Sequence, residues 1–429
     1  MNDESHGQRR ETIKKDLMFY RFSLYGFLKN LRLFEPFLIL IFLDGGLNYF
    51  QIGLLYSVRD IATNILEVPT GVFADIYGRR KSMVMSFLSY IIAFIVFYLF
   101  PNFYAYVGAM ILYAFGEAFR SGTHKALILE YLKQHGMSHL KVEYYGHTRG
   151  ASQLGSALNS LLAAALVFYS GNYRYVFLAS MLPYVLDLIN LATYPPELDG
   201  EIVPKAHRNT KEQARQTLRD FWRMLTDGEM RRALLNSAGF TAAFKSTKDY
   251  LQPIVKSFAL TLPFFLALDD TRRSSVVIGI VYFFIYLLSS EASRRAARVS
   301  RRFSDLAAAI NFTYFLGASF LLLAGIATWQ QVAIASILIY LGFYVLQNLR
   351  RPMMVSYISD RIASRVMASG LSVESEASTL MMAVFAPILG ALADRFGVGV
   401  ALAIFGGLMV LGGLFVRVRP VETGQGEAA

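Results

Sequence analysis

The chain has 429 residues, 55% of them hydrophobic and only 17% charged, with a formal net charge of +11 and no cysteine. A water-soluble domain carries roughly a quarter charged residues, so this balance excludes an ordinary soluble globule. The missing cysteines exclude disulfides, thiolate metal sites and a catalytic thiol.

Residues Met1 to Asp16 are charged and contain no short apolar core followed by a cleavage site, so no cleaved signal peptide is expected. Apolar segments then start near Leu17, Tyr49, Ser82, Phe103, Tyr145 and Tyr173. A polar, basic stretch follows from Pro195 to Arg232, and six more segments start near Ala233, Ser275, Leu306, Gln330, Arg365 and Val398. Each run of about 20 residues can cross a hydrocarbon core of about 30 Å. Their uninterrupted character favours helices over the weak alternation of a membrane barrel. The expectation is an all-α integral membrane protein with 12 transmembrane helices: residues 1–200 form one six-helix bundle, 201–230 a central linker and 231–429 a second bundle.

Loop charge alternates along this plan. One side carries Arg9, Arg10, Lys14 and Lys15, then Arg79, Arg80 and Lys81, then Lys133 and Lys141. It also holds the basic linker, the run Arg294, Arg295, Arg298, Arg301 and Arg302, then Arg361, Arg417 and Arg419. Opposite loops hold only Arg174, Arg272, Arg273 and Arg395. Cations confined to alternate loops set membrane orientation rather than nucleic-acid binding, and place both termini and the linker in the cytoplasm. Compact loops suit a bacterial inner membrane.

Between the second and third segments stands "GVFADIYGRRKSM", with Gly71, Asp75, Gly78, Arg79 and Arg80. Glycine at 71 admits a close helix neighbour, glycine at 78 suits a turn with positive φ, and an aspartate at a helix C-terminus calls for a compensating partner. With twelve segments and a central loop, this string resembles the signature of the major facilitator superfamily, departing only at Ile76. The resemblance implies two bundles built from inverted three-helix repeats. It also implies a latch between the halves, in which Asp75 meets the start of the eleventh helix around Ser364 to Ser369 and Arg79 reaches Glu130. A similar string, "GALADRFG" (Gly390 to Gly397), lies on the opposite face. It reads either as an outer counterpart, with Asp394 and Arg395 in the latch role, or as chance similarity. The Gly-Pro pair that drug antiporters of this superfamily carry in the fifth helix is absent.

The resemblance also implies that helices 1, 4, 7 and 10 line a central cavity, and all four carry polar stripes at helical spacing. They are Tyr25, Lys29, Arg32 and Glu35; Tyr113, Glu117, Arg120 and His124; Thr241, Lys245, Lys248 and Gln252; and Tyr340, Tyr344, Gln347 and Arg351. A charge at the membrane centre costs roughly 2.5–3.5 kcal/mol on insertion scales, so the stripes point to a wet path. Plainer roles stay open: Lys29 and Arg32 as structural partners of Glu35 and Glu117, Lys248 and Asp249 as outer rim, His124 and the tyrosines as packing. Asp60, Asn64 and Glu67 of helix 2 read as gate coupling.

Cations outnumber acids in the stripes, and arginine suits carboxylate or phosphate. The favoured reading is a secondary transporter moving a small anionic solute by alternating access, driven by a proton, another ion or a counter-solute. Export of cationic or amphipathic compounds, carriage of a metal such as iron, and a non-transporting receptor on the same fold are the alternatives. No HExxH, GxSxG, GxGxxG or P-loop motif is present, so neither an enzyme, a cofactor, a resident metal nor ATP drive is expected. The expected state is a monomer in a lipid bilayer.

Overall fold

Helix starts follow the capping residues written in the sequence. Asp16 accepts the amide of Phe19 at the head of α1 (Leu17–Lys29), and Asn48 and Gln51 form a capping box at the head of α3 (Tyr49–Tyr77). Asn102 caps α5 (Phe103–Arg120) and Asp305 caps α12 (Leu306–Trp329) in the same way. The computed structural model describes residues 15–199, 219, 226, 228–263, 266–359 and 367–420. Most of the expected linker, and Arg361 and Arg365, lie outside them.

The remaining helices are α2 (Leu38–Asp44), α4 (Arg79–Leu99), α6 (Thr123–Gln134), α7 (Lys141–Ser170) and α8 (Tyr175–Ala192). After the linker come α9 (Gly228–Thr247), α10 (Leu251–Thr261), α11 (Asp270–Ser300), α13 (Ala333–Ser359), α14 (Met367–Phe396) and α15 (Val398–Phe415). No strand occurs among the described residues. Among the described residues eight helices are long and apolar enough to cross a membrane. The other long segments carry charges, as α3 does with Arg59, Asp60 and Glu67, or are interrupted.

Polarity is inverted relative to a soluble protein. On α8, Leu178, Leu182, Leu186 and Ile189 face outward while Ser180, Tyr184 and Asp187 are buried. An apolar exterior stripe with polar groups inside is what a lipid solvent selects.

The interruptions correct one expectation from the sequence. Lys29, Arg32 and Glu35 do not share one helical face: α1 ends at Lys29, and a 3-10 turn at Glu35–Phe37 leads into α2. Pro36 opens that turn, and its ring disfavours helical backbone at the residue before it. Likewise α5 stops at Arg120 and Gly122 adopts φ +70°, so His124 belongs to the next helix. A 3-10 turn at Lys248–Tyr250 separates α9 from α10, with Pro253 in the first turn of the latter. In each case the break lies beside charged side chains.

Within α1–α8, α1 packs on α7 and α8, α4 on α5 and α8, and α3 on α5. Within α9–α15, α12 packs on α13 and α15, α11 on α13, and α9 on α14. The two sets meet through α3 against α14 and α7 against α11.

Candidate functional site

Glu117 on α5 anchors the first group of charges. Its Oε1 lies 3.1 Å from Arg32 Nη2 and accepts the Tyr90 hydroxyl at 2.7 Å, while its Oε2 accepts from Arg120 Nη2 at 2.5 Å. Tyr90 also accepts from Arg120 Nε at 3.2 Å. Two arginines on one carboxylate neutralise a charge that would be costly to bury alone. Arg32 can be there because α1 ends one turn earlier, and Asn159 on α7 holds the freed Arg32 carbonyl at 3.0 Å.

The second group joins the two sets of helices. Lys248 Nζ donates to Asp249 at 2.9 Å and lies 3.7 Å from Glu35 Oε1, and the Tyr56 hydroxyl of α3 donates to Asp249 at 3.1 Å. Gln252 accepts the Ile39 amide at 2.9 Å and donates to the Glu35 carbonyl at 3.0 Å. Tyr340 and Tyr344 donate to the Thr247 and Lys248 carbonyls, supporting the break. Lys248 and Asp249 therefore bridge the two sets of helices. Arg32, Glu35, Arg59, Lys248 and Asp249 line a cavity of about 60 Å³ with Phe94, Phe97, Tyr113 and Phe177. Asp60 pairs with Arg59 at 2.7 Å and Glu67 accepts from Ser121 at 2.6 Å, both within the first set of helices.

One end of the molecule is sealed. Asp394 on α14 accepts the amides of Tyr49 and Phe50, at 2.9 and 2.8 Å, and so caps α3 across the two sets. Below it the backbones touch: a Cβ at Gly390 would sit 2.3 Å from the Tyr49 oxygen, and one at Gly53 would sit 2.4 Å from the Ala386 oxygen. Ser57 donates to the Ala383 carbonyl at 2.7 Å, Tyr49 stacks on Tyr250, and Arg272 on α11 donates to the Phe168 carbonyl of α7 at 3.0 Å. Of the two residues read in a latch role for "GALADRFG", Asp394 reaches across to α3, while Arg395 lies over the ring of its neighbour Phe396.

At the other, basic end the motif residues hold within the first set. Arg79 lies 3.5 Å from Glu130, as the resemblance implied. The Arg80 amide donates to Asp199 at 2.7 Å and its side chain to the Tyr194 carbonyl at 3.1 Å. Gly78 has φ +100°, and a Cβ there would sit 2.7 Å from the Asp199 carboxyl, so Asp199 completes the turn. The close helix neighbour expected at Gly71 is not found among the described residues: no atom of another element lies within 4 Å of a Cβ there. The side chains of residues 364–369, expected to face Asp75, lie outside the described residues.

Two larger cavities lie toward the basic end. One of about 290 Å³, within the first set, is lined by Tyr25, Lys29, Arg120, His124 and Arg149. The other, about 390 Å³ and within the second set, is lined by Thr241, Lys245, Gln347, Arg350, Arg351 and Glu374. Lys29, Lys245 and Arg351 have no carboxylate within 4.0 Å among the described residues. Arg350, passed over in the sequence for its neighbour Arg351, is only 2% exposed. It donates to the Ile310 carbonyl at 2.6 Å and to Asn236, and lies over the rings of Phe240 and Tyr314. Its partners are neutral dipoles and aromatic faces, which orient the guanidinium without cancelling its charge.

A family model described as Major Facilitator Superfamily matches residues 22–375. An uncharacterized MFS-type transporter of Bacillus subtilis (strain 168), YxaM, is 36% identical over 106 residues, 25% of this chain. That alignment spans 26% of the relative's own length. The crystal structure of the nucleoside transporter NupG superposes with a TM-score of 0.71 at 13% identity, covering 94% of this chain and 98% of that one. A D-xylose–proton symporter gives 0.66 at 16% identity, covering 94% and 97%. A peptide transporter POT in complex with sulfate gives 0.71 at 13%, covering 93% of each. At these identities the likeness is one of fold alone.

Proposed function

The chain belongs to the Major Facilitator Superfamily, whose members are transporters and not enzymes, and from that premise we propose that it is a secondary transporter moving a small anionic solute by alternating access. The architecture behind this reading is twelve spans in two six-helix bundles, residues 1–200 and 231–429, joined by the linker 201–230. The broken segments α1–α2, α5–α6 and α9–α10 each count as one span and fall at equivalent places in inverted three-helix repeats. The basic end is cytoplasmic by the loop-charge rule, as are both termini, in a bacterial inner membrane. The conformation is then closed outside, at Asp394, and open inside. In the reverse state Asp75 takes the latch role against the start of α14.

One observation carries the anion assignment: Lys245, Arg350 and Arg351 line the 390 Å³ cavity against Glu374 alone. Glu374 already accepts from Ser237 at 2.8 Å. Arg32 and Arg120 spend their charge on Glu117, and Lys248 spends its on Glu35 and Asp249, so those residues shape the centre rather than supply free positive charge. Lys29, lining the 290 Å³ cavity without an ion pair among the described residues, adds a cation from the first bundle. Arginine binds carboxylate or phosphate through two parallel hydrogen bonds, which lysine does not reproduce.

Thermal-shift screening of organic anions, cations and neutral solutes on purified protein tests the assignment. The hits are expected among anions. Lys245→Gln and Arg351→Gln should each weaken binding about ten- to a hundredfold, the loss of one charge-assisted hydrogen bond of about 1.5–3 kcal/mol. Hits confined to cations, or binding of an anion hit unchanged in both variants, would overturn the assignment and favour a cationic or metal solute held by Glu35, Glu117 and Asp249.

A further inference from the structure

Asp187 lies outside every stripe read in the sequence. It sits on α8, is 0% exposed, and its Oδ2 has no hydrogen-bond partner. Its Oδ1 accepts one long bond, 3.3 Å, from the Asn190 amide. Among the described residues no cation lies within 4.0 Å of it. A carboxyl group removed from water must be ion-paired, fully hydrogen-bonded or protonated. The first two are not met here.

The surroundings explain why. From α1 come Arg21, Tyr25 and Lys29, and Arg21 is spent on the Asn190 carbonyl at 2.6 Å and the Thr193 hydroxyl at 2.5 Å. Its own segment supplies Tyr184, whose hydroxyl donates to the Lys29 carbonyl at 3.3 Å, and Tyr194. Tyr90 of α4 packs on Tyr184, and His124 of α6 stacks on Tyr25 with ring centroids 3.5 Å apart. Helix α7 contributes Thr148, Arg149 and Ser152 to the neighbouring cavity. Lys29 is the cation whose field reaches Asp187, yet it lines that cavity instead of pairing.

We propose that Asp187 is a proton-binding site, set one layer behind the 290 Å³ cavity and controlled by where the Lys29 ammonium points. With Lys29 turned to the cavity, Asp187 holds the proton on Oδ2. When Lys29 turns inward, the Oδ2–H bond breaks and the proton passes to cavity water. The carboxylate then pairs with the ammonium. This use of the site rests on the anion reading in one respect: an anion bound at Lys245 and Arg351 that also draws on the Lys29 charge holds Lys29 outward, so anion and proton bind together. By linkage each strengthens the other by the same factor. A proton-coupled anion symporter follows, with the coupling residue away from the charges that line the central cavity.

The test needs no solute, so it stands or falls apart from the anion reading. Infrared spectra of the purified protein should contain a carboxylic-acid carbonyl band at neutral pH that Asp187→Asn removes. In Lys29→Gln the same band should persist to higher pH, its titration midpoint raised by about one unit or more, because the charge favouring the ionised form is gone. A wild-type minus Asp187→Asn difference showing only carboxylate bands overturns the proposal. So does a midpoint unmoved in Lys29→Gln. Should Asp187→Asn not fold, isotope-labelled aspartate in the otherwise native protein must shift the band, and an unshifted band is equally fatal.

Discussion

Asp394→Asn isolates the electrostatic part of the seal between α3 and α14. The carboxylate meets the first two amides of α3, where the helix leaves donors unsatisfied and its dipole is positive. Asparagine keeps the shape but turns one acceptor into a donor that faces an N–H, and removes the charge. One charge-assisted hydrogen bond is worth about 1.5–3 kcal/mol. Taking about 2 kcal/mol as the net loss, the equilibrium between sealed and open forms should move roughly thirtyfold toward open. The chain has no native cysteine, so Ser57→Cys supplies a single thiol, buried in this seam against Ala383. Reaction with a membrane-impermeant maleimide added at the Asp394 side reads the open population. Labelling should accelerate roughly thirtyfold in the Asp394→Asn background, in proportion to that population. Asp305→Asn, the same loss of charge at a cap within one set of helices, should leave it unchanged. An unaltered rate in Asp394→Asn would show that backbone packing alone holds this end, and the latch role of Asp394 would be withdrawn.

Gly78→Ala should cost about 1–3 kcal/mol, seen as a lower thermal midpoint, because φ +100° is nearly reserved for glycine and the new methyl meets Asp199; an unchanged midpoint would show that the turn relaxes freely. Glu117→Gln and Arg120→Gln should each lower the midpoint, and the double variant should lower it by less than their sum, with a coupling of about 1 kcal/mol. Strict additivity would refute the shared anchor. A reporter after Gly200 should read cytoplasmic and one near Asp270 external, and the reverse at either site would invert the orientation.

What the sequence disclosed follows from how local each signal is. The starts of α3, α5 and α12 are legible as the edges of apolar runs, and Asn48, Asn102 and Asp305 fix them because each cap lies within three residues of the amide it satisfies. The Arg79–Glu130 pair was reached only through the family's pattern. The breaks escaped because Lys29, Arg32 and Glu35 keep a helical spacing straight through a loop, with Pro36 as the one mark of the turn. Pairing stays open in the sequence: Arg32 reads equally as a cavity cation or as the partner of Glu117 that it is, because the two are 85 positions apart and nothing local distinguishes a free arginine from one already neutralised. Arg350 and Arg351 are neighbours on a helix, so they point apart, and the stripe selected one of them. Asp187 lies in an apolar run whose length is its one signal in the sequence.

Gln252 has a consequence of its own. Covalently, α2 continues from α1, yet the amide of Ile39 and the carbonyl of Glu35 are satisfied by a side chain from the opposite set of helices. Both belong to a turn whose own helix offers them no partner, and a buried main-chain group left unpaired is costly. If the two sets part at this turn, each of those groups needs a water molecule as replacement. The two sets therefore cannot part dry at Gln252: separation and wetting there are one event.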